Sequence, residues 1–145
     1  MNKPTFTIFL SLVFFPLFFA NAAFAQDTYT KLCLQAIESE KAGNLDEAIS
    51  KYTDAINSKP TEWTGYCYRG KVYLYIKKFD KAISDVSKAI TLSPNTSSLY
   101  SVRGDCYYGE RIYDKAINDY TTALSNKGNK LDKQLLYQTY YNRGQ

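Results

Sequence analysis

The chain has 145 residues, a length that suits a single domain. Hydrophobic residues make up 45% of it and charged residues 22%, which is close to ordinary globular usage and argues against disorder in the body of the chain. The formal net charge of +4 is small. Because the cations are spread along the sequence rather than massed in a run, the charge gives little support to nucleic-acid binding.

Residues 1–25 have the three-part pattern of a secretory signal peptide. A single lysine precedes an apolar stretch at 6–20, and the small-x-small sequence Ala-Phe-Ala follows at 23–25. The alternative is an uncleaved membrane anchor, but the apolar stretch is interrupted by Pro16 and is shorter than the roughly 20 residues that span a bilayer. We therefore expect cleavage after Ala25, a periplasmic or secreted protein, and no stable membrane insertion afterwards.

Internal repetition organises the rest of the chain. Three segments align without a gap at a constant displacement along the chain: NLDEAISKYTDAINSKP at 44–60, KFDKAISDVSKAITLSP at 78–94 and IYDKAINDYTTALSNKG at 112–128. Similar segments that recur at a constant displacement are typical of repeat proteins built from helix pairs. The sequence predicts three units and a last segment, at 29–62, 63–96, 97–130 and 131–145.

Each unit reads as two amphipathic helices joined by a tight turn. In the second unit Tyr66, Gly70 and Tyr73 recur at helical spacing, and after the turn Ala82 and Val86 do the same. Gly70 and Ala82 lack bulk where two helices must approach closely, and the aromatic residues fill the space around them. Pro94 and Gly128 are expected to end the second helices of their units.

This pattern resembles the tetratricopeptide repeat, and the resemblance covers nearly all of the chain after residue 25. The second unit has the motif at Tyr66, Arg69-Gly70, Tyr73, Ala82, Val86 and Pro94. The third unit has it at Tyr100, Arg103-Gly104, Tyr107, Ala116, Tyr120 and Gly128. The first unit matches less well in its first helix, as terminal repeats often do. The resemblance implies an all-α fold: an α-solenoid of three helix-turn-helix repeats plus a C-terminal helix.

One departure from the family motif predicts a structural ion pair. Leucine usually precedes the glycine, but this chain has Arg69 and Arg103, and an acid follows each arginine at the same distance, at Asp85 and Asp119. The first unit has neither an arginine nor an acid at these places. We expect each pair to join the two helices of its repeat, with the arginine stem along apolar surface. The alternative is that the arginines bind an anionic ligand.

The composition gives no support to an enzyme. Histidine is absent, which removes the commonest general base and the main nitrogen ligand for metals. No glycine-rich loop could bind a phosphate. We therefore predict no catalytic residue, no metal and no cofactor.

Three cysteines remain after residue 25, an odd number in a compartment that favours disulfides. Cys33 and Cys67 occupy equivalent places on neighbouring first helices. Packed helices lie roughly 8–10 Å apart, which exceeds the roughly 7 Å limit between the Cα atoms of a disulfide, so a bridge there would be strained. We expect Cys106 to be a compact core side chain rather than a reactive thiol.

In the family that the chain resembles, the first helices line a concave groove that binds peptides or partner helices. The corresponding candidate groove residues are Thr64, Cys67, Lys71, Leu74, Ser98, Ser101, Asp105 and Tyr108. Relatives that bind the C-terminal carboxylate of a chaperone use lysine, asparagine and arginine in the groove, and here only Lys71 is of that type. The lining therefore argues against that ligand.

The C-terminal segment carries a third copy of the Tyr-x-x-Arg-Gly signature, at residues 140–144. As an amphipathic helix it would cap the last repeat. A cap has no need of the signature, however, so we expect the chain to be a fragment whose last helix begins a fourth repeat.

The leading functional hypothesis is an exported interaction scaffold that binds an unidentified protein or peptide through the groove, without nucleic acid. Two alternatives stay open: the repeats are the N-terminal part of a larger envelope assembly factor or enzyme, or they form a self-assembling structural element. The sequence does not fix the partner or the oligomeric state.

Overall fold

A computed structural model describes the backbone of residues 14–126 and 130–144, and the side chains of residues 28–126 and 133–144. These ranges contain helices and no strand. The helices are α1 (Phe14–Lys41), α2 (Leu45–Ser58), α3 (Trp63–Tyr75), α4 (Phe79–Leu92), α5 (Ser97–Gly109), α6 (Tyr113–Ser125) and α7 (Lys130–Arg143).

The helices pack in pairs along the chain. Helix α1 lies against α2, α3 against α4 and α5 against α6, and each second helix also contacts the first helix of the next pair. Helix α7 packs on α6. Because contacts run almost entirely between successive helices, the molecule is a stack of helix pairs, and the predicted all-α solenoid is confirmed.

The same turn joins the two helices of each pair. Its left-handed residue is Gly43 in the first pair, Lys77 in the second and Arg111 in the third, with φ of 80°, 58° and 62°. The amide that follows bonds back to a carbonyl in the last turn of the helix, as from Lys78 N to Tyr73 O at 2.8 Å, which is the Schellman arrangement that ends many helices. The first pair meets this geometry with glycine, whereas the other two hold a long cationic residue in a conformation that disfavours side chains.

Small residues let the two helices of a pair approach closely. A Cβ added to Gly70 would lie 2.8 Å from Val86, and one added to Gly104 would lie 2.6 Å from the Tyr120 ring. Such contacts leave no room for a side chain at either glycine. The buried core consists mainly of alanine, valine and tyrosine side chains contributed by successive helices.

The two ends of the predicted organisation are only partly described. Residues 1–13 and 127–129, which include Gly128, lie outside the described residues, and so do the side chains of 14–27. The predicted signal peptide therefore stays a prediction. Within the described part of the chain, none of the helices combines the length and the apolar character needed to cross a membrane.

Candidate functional site

The predicted groove residues lie on α3 and α5, and we call the surface that these two helices present the first-helix face. The structure gives them three degrees of exposure. Lys71 and Ser98 are exposed. Cys67 is buried. The others are partly buried, namely Thr64, Leu74, Ser101, Asp105 and Tyr108.

Cys67 belongs to the core and does not line a surface, which corrects the sequence-based placement. Its side chain is 5% exposed and packs in one cluster with Leu99 and Val102 of α5. The next first helix covers the position, because α3 and α5 are in direct contact. Leu74 packs against the same cluster.

The cysteines have the properties of core side chains. In the described residues all three are free thiols. Burial raises the pKa of Cys67 and Cys33 and raises that of Cys106 to about 12, so the neutral thiol is the form present at neutral pH. The Cys106 Sγ lies 3.2 Å from the Val102 carbonyl oxygen. The described side chains contain no cluster of His, Cys, Asp and Glu that could hold a metal ion.

Polar contacts tie neighbouring first helices together at the edge of this face. The Tyr29 hydroxyl on α1 shares a hydrogen bond with Thr64 on α3, and Thr64 in turn donates to Glu62 at 3.3 Å. Tyr29 is buried, and this desolvation raises its pKa above the usual range. Thr64 is therefore held by its neighbours and offers little free hydrogen-bonding capacity to a ligand.

Two buried tyrosines reach acids on the first helices, a contact that the sequence did not indicate. Tyr120 on α6 donates to Asp105 at 2.8 Å, and Tyr52 on α2 donates to Glu40. Both rings are fully buried, and burial raises both pKa values above the usual range. The two tyrosines stand two repeat periods apart, so they occupy the same motif position. Asp105 is thus a partner of the core rather than a free groove charge.

An exposed aromatic ring stands beside a cation on α3. Tyr68 is 39% exposed, and its ring stacks on that of Tyr52 with centroids 5.8 Å apart and an angle of 17°. The Nζ of Lys71 lies 5.5 Å from the centroid of the Tyr68 ring. An immobilised ring with an adjacent ammonium group can bind an apolar side chain and an acid together. Lys71 is among the predicted groove residues and Tyr68 is not, although the two residues share a helix face at a spacing of three.

Both predicted ion pairs are formed in the structure. The Nε and Nη2 of Arg69 lie 2.7 Å from the two carboxylate oxygens of Asp85. Arg103 binds Asp119 in the same way, at 2.7 and 2.8 Å. This two-pronged geometry is the strong form of an arginine-carboxylate contact, and the hydrogen bonds to the acid raise the arginine pKa.

The third nitrogen of each arginine reaches the preceding repeat. Arg69 Nη1 donates to Thr53 Oγ1 at 2.9 Å, and Arg103 Nη1 donates to Ser87 Oγ at 3.2 Å. We call the arginine, its acid and this hydroxyl the arginine clasp. Because each clasp joins three helices, its arginine is engaged in the scaffold, and the geometry favours the structural role over binding of an anionic ligand.

Part of the chain matches a known family of repeats. Residues 65–96 match the family model described as tetratricopeptide repeat. No curated protein matches the chain.

Solved structures of tetratricopeptide repeat domains share the fold. The first TPR of Spaghetti (RPAP3), bound to the HSP90 peptide SRMEEVD, is 25% identical with a TM-score of 0.79, over 82% of this chain and 95% of that one. The first TPR domain of human RPAP3 is 26% identical with a TM-score of 0.76, over 79% of this chain and 91% of that one. The TPR2B domain of yeast Sti1, in a complex with pHsp70, is 23% identical with a TM-score of 0.77, over 80% of this chain and 98% of that one. The chain is therefore similar to these domains in fold, and it is an all-α solenoid of tetratricopeptide repeats.

Proposed function

We propose that the protein is an interaction scaffold that binds a peptide segment or partner helix along the first-helix face. The observation that carries the proposal is the exposed Tyr68 ring with the Lys71 ammonium group beside it, on a face whose other candidate residues are mostly engaged in packing. The similar domain of Spaghetti is bound to a peptide, which supports peptide binding as the use of such a fold.

The chemistry of the face favours a ligand with one apolar group and one acid. The Tyr68 ring would pack against the apolar side chain, and Lys71 would pair with the carboxylate. Thr64 and Asp105 are committed to internal hydrogen bonds, so they add little selectivity. Since only Lys71 is of the type that carboxylate-binding relatives use, we infer that the ligand differs from the HSP90 peptide bound by the similar domain of Spaghetti.

A pair of matched charge reversals tests the proposal. A displayed peptide library is selected against the full chain, and the affinity of a selected peptide is measured by fluorescence anisotropy. Lys71→Glu removes the cation of the face, whereas Lys88→Glu makes the same change at an exposed position on α4. We expect Lys71→Glu to weaken binding by about tenfold, the loss of roughly one charge-assisted contact, and Lys88→Glu to leave it unchanged. Equal effects of the two variants would show that the ligand binds elsewhere.

We also propose that the protein is exported through its N-terminal segment, residues 1–25. The support is the sequence pattern of a basic residue, an apolar stretch and a small-x-small site. Residues 1–30 fused to alkaline phosphatase, which is active only outside the cytoplasm, should give activity, and N-terminal sequencing of the exported product should begin at Gln26. Replacing Leu12 and Val13 by arginine should abolish both. Activity that survives this double replacement would contradict the proposal.

A further inference from the structure

Two exposed tyrosines, Tyr68 and Tyr75, lie along one side of α3, and we call them the tyrosine stripe. They are 39% and 77% exposed. Because Tyr75 follows Tyr68 by seven residues, the two lie within about 20° of each other around the helix axis. Lys71 lies between them along the helix and is also exposed. Helix α3 is the middle first helix and packs against α2, α4 and α5, so the stripe does not lie at an end of the stack.

The repeat fold does not require an aromatic ring at either place of the tyrosine stripe. The other two repeats have no tyrosine at the equivalent places, where the residues are Leu34, Lys41, Val102 and Gly109. Those repeats nevertheless form the same helix pairs. The two rings are therefore better explained by contact with a ligand than by packing within the repeat.

The hydroxyls of the tyrosine stripe differ from those of tyrosines that the fold uses. Tyr66 and Tyr100 each donate to the carbonyl of the proline that precedes their helix, at 3.3 and 2.9 Å. Among the described side chains, neither hydroxyl of the stripe has such a partner. Each stripe residue thus combines a flat apolar ring with a hydrogen-bond donor that a ligand can use.

The spacing of the tyrosine stripe favours one backbone conformation of a ligand that lies along it. Seven residues of an α-helix rise about 10.5 Å. A polyproline II helix presents the same face every three residues, about 9.3 Å apart, and rotation of the exposed tyrosine side chains covers the remaining difference of about 1 Å. An extended strand presents the same face at about 6.6 and 13 Å, which fits the spacing less well. An α-helix repeats its face at about 10.5 Å, but its carbonyls are used in its own hydrogen bonds.

The chemistry of the stripe favours the same conformation. The carbonyls of a polyproline II helix have no internal partners, so they can accept from the Tyr68 and Tyr75 hydroxyls. Proline rings pack on aromatic side chains, and the preformed helix lowers the entropy cost of binding. The Nζ of Lys71 lies 5.5 Å from the centroid of the Tyr68 ring. Because Lys71 is exposed, it can turn from this ring toward a carboxylate without breaking a packed contact.

We propose that the first-helix face binds a proline-rich segment in the polyproline II conformation, with two prolines three residues apart on the tyrosine stripe and an acid paired with Lys71. This proposal rests on the proposed function, which assigns peptide binding to the same face, and it names the class of peptide. The four prolines of the chain stand at 4, 16, 60 and 94, so no two are three residues apart. A second copy of these residues therefore does not supply the segment.

Peptides built from repeated triplets serve as the probes. Four repeats of Pro-Pro-Glu place prolines and an acid in every turn of a polyproline II helix. Four repeats of Pro-Pro-Gln lack the acid, and four repeats of Ala-Ala-Glu keep the acids without proline. Each peptide is titrated into the isotope-labelled full chain, and binding is followed through the amide chemical shifts.

The three probes should bind with different strengths. We expect the Pro-Pro-Glu peptide to give saturable shift changes centred on Tyr68, Lys71 and Tyr75. The Pro-Pro-Gln peptide should bind about tenfold more weakly, as the loss of one charged contact implies. The Ala-Ala-Glu peptide should not saturate the same amides, because charge alone does not fill the stripe.

Single replacements in the chain then assign the contacts. Tyr75→Ala should weaken binding of the Pro-Pro-Glu peptide by about tenfold, and Tyr75→Phe, which removes only the hydroxyl, by about fivefold. Tyr75 is largely exposed, so neither change disturbs the core. Tyr137→Ala removes a similarly exposed ring from α7 and should change nothing. Lys71→Gln should erase the difference between the Pro-Pro-Glu and Pro-Pro-Gln peptides.

Three results would overturn the proposal: no binding of the Pro-Pro-Glu peptide, equal binding of the Ala-Ala-Glu peptide, or an unchanged affinity in Tyr75→Ala. Peptides selected from the displayed library separate this failure from that of the proposed function. If they bind at the first-helix face but contain no prolines three residues apart, only the polyproline II assignment is wrong. If they bind elsewhere on the chain, the proposed function is wrong as well.

Discussion

The first repeat and the two that follow hold their helices together with different chemistry. The second and third repeats each have an arginine clasp. The first has Gln35 and Lys51 at the places of the arginine and the acid. Its Tyr52 bonds to Glu40 across the pair, as Tyr120 bonds to Asp105 in the third repeat, so this bond is what remains where the clasp is missing. The same left-handed turn joins the paired helices in all three repeats, although only two of them have a clasp. The comparison teaches that close helix approach at small residues sets the fold and that the clasp is an addition to it.

Removing one member of an arginine clasp should cause the largest loss in the free energy of unfolding. Asp85→Asn leaves the Arg69 guanidinium largely buried beside a neutral amide, so we expect a loss of about 3 kcal/mol in the free energy of unfolding. Lys51→Gln, at the equivalent place in the first repeat, should change it by less than about 0.5 kcal/mol. Urea denaturation of both variants provides the measurement.

A double-mutant cycle measures how strongly Arg69 and Asp85 are coupled. Arg69→Gln combined with Asp85→Asn should cost less than the sum of the two single changes, because no charge is then left unpaired. Losses that simply add would mean that the two residues are not coupled, and that the short distances of the clasp contribute nothing as a pair.

Exchanging glycine and alanine at the small-residue position should destabilise both kinds of repeat, but for different reasons. Gly104→Ala places a Cβ 2.6 Å from a buried ring, and we expect overpacking to cost about 2 kcal/mol. Ala36→Gly, at the same motif position in the first repeat, should cost about 1 kcal/mol through backbone entropy and lost packing. Thermal unfolding measures both. Gly144→Ala, where an added Cβ would meet only backbone oxygens of α7 among the described residues, serves as the control and should be close to neutral. An equal loss there would contradict the packing explanation.

Substitutions in the turns between paired helices should change the free energy of unfolding less. The changes in the first and second repeats should have opposite signs. Lys77→Gly relieves a left-handed backbone that disfavours side chains, so we expect a gain of up to about 1 kcal/mol. Gly43→Ala makes the reverse change in the first repeat and should cost about 1 kcal/mol. Chemical denaturation curves for the two variants should therefore shift in opposite directions. Shifts in the same direction would show that side-chain contacts, rather than φ, decide stability at this turn.

At the junction between the second and third repeats, the contribution of Glu110 to stability should depend on pH. Desolvation and the nearby Asp80 raise the pKa of Glu110, so the charged form is disfavoured in the folded state. The sign follows from linkage: stability is highest where Glu110 is protonated and falls as the pH rises through its folded-state pKa.

Glu110→Gln should therefore raise the Tm at neutral pH and leave it unchanged at about pH 3, where the carboxyl is protonated in both states. The equivalent places at the first junction are Asp46 and Ile76, which lack this pair of acids. Ile76→Gln is thus a control that should show no pH-dependent difference. A stabilisation by Glu110→Gln that is the same at both pH values would contradict the electrostatic account.

The fold could be predicted from the sequence because the repeat period reflects the packing of each helix against its neighbours in the chain. The constant displacement between the three aligned segments located the helix pairs, and the constant spacing from arginine to acid indicated the ion pairs that the structure forms. The hydroxyls of Thr53 and Ser87 were missed, although each precedes its arginine by that same spacing. Their role depends on the contact between one repeat and the next, which a motif defined within a single repeat does not describe.

The candidate site was less predictable for the same reason. Cys67 occupies a groove position by helical phase, but its burial is decided by α5 of the following repeat. Asp105 appeared as a surface charge, but the Tyr120 hydroxyl reaches it from the second helix. Tyr68 was overlooked because its support, the stacked Tyr52 ring, comes from the preceding repeat.

The central claim, that the first-helix face binds the ligand, is tested most directly by mapping where a bound peptide lies. Amide chemical shifts of the isotope-labelled full chain are recorded with and without a peptide selected from the displayed library. The account predicts that the shift changes centre on Tyr68, Lys71 and Ser98. Changes confined to α2, α4, α6 or α7 would contradict it.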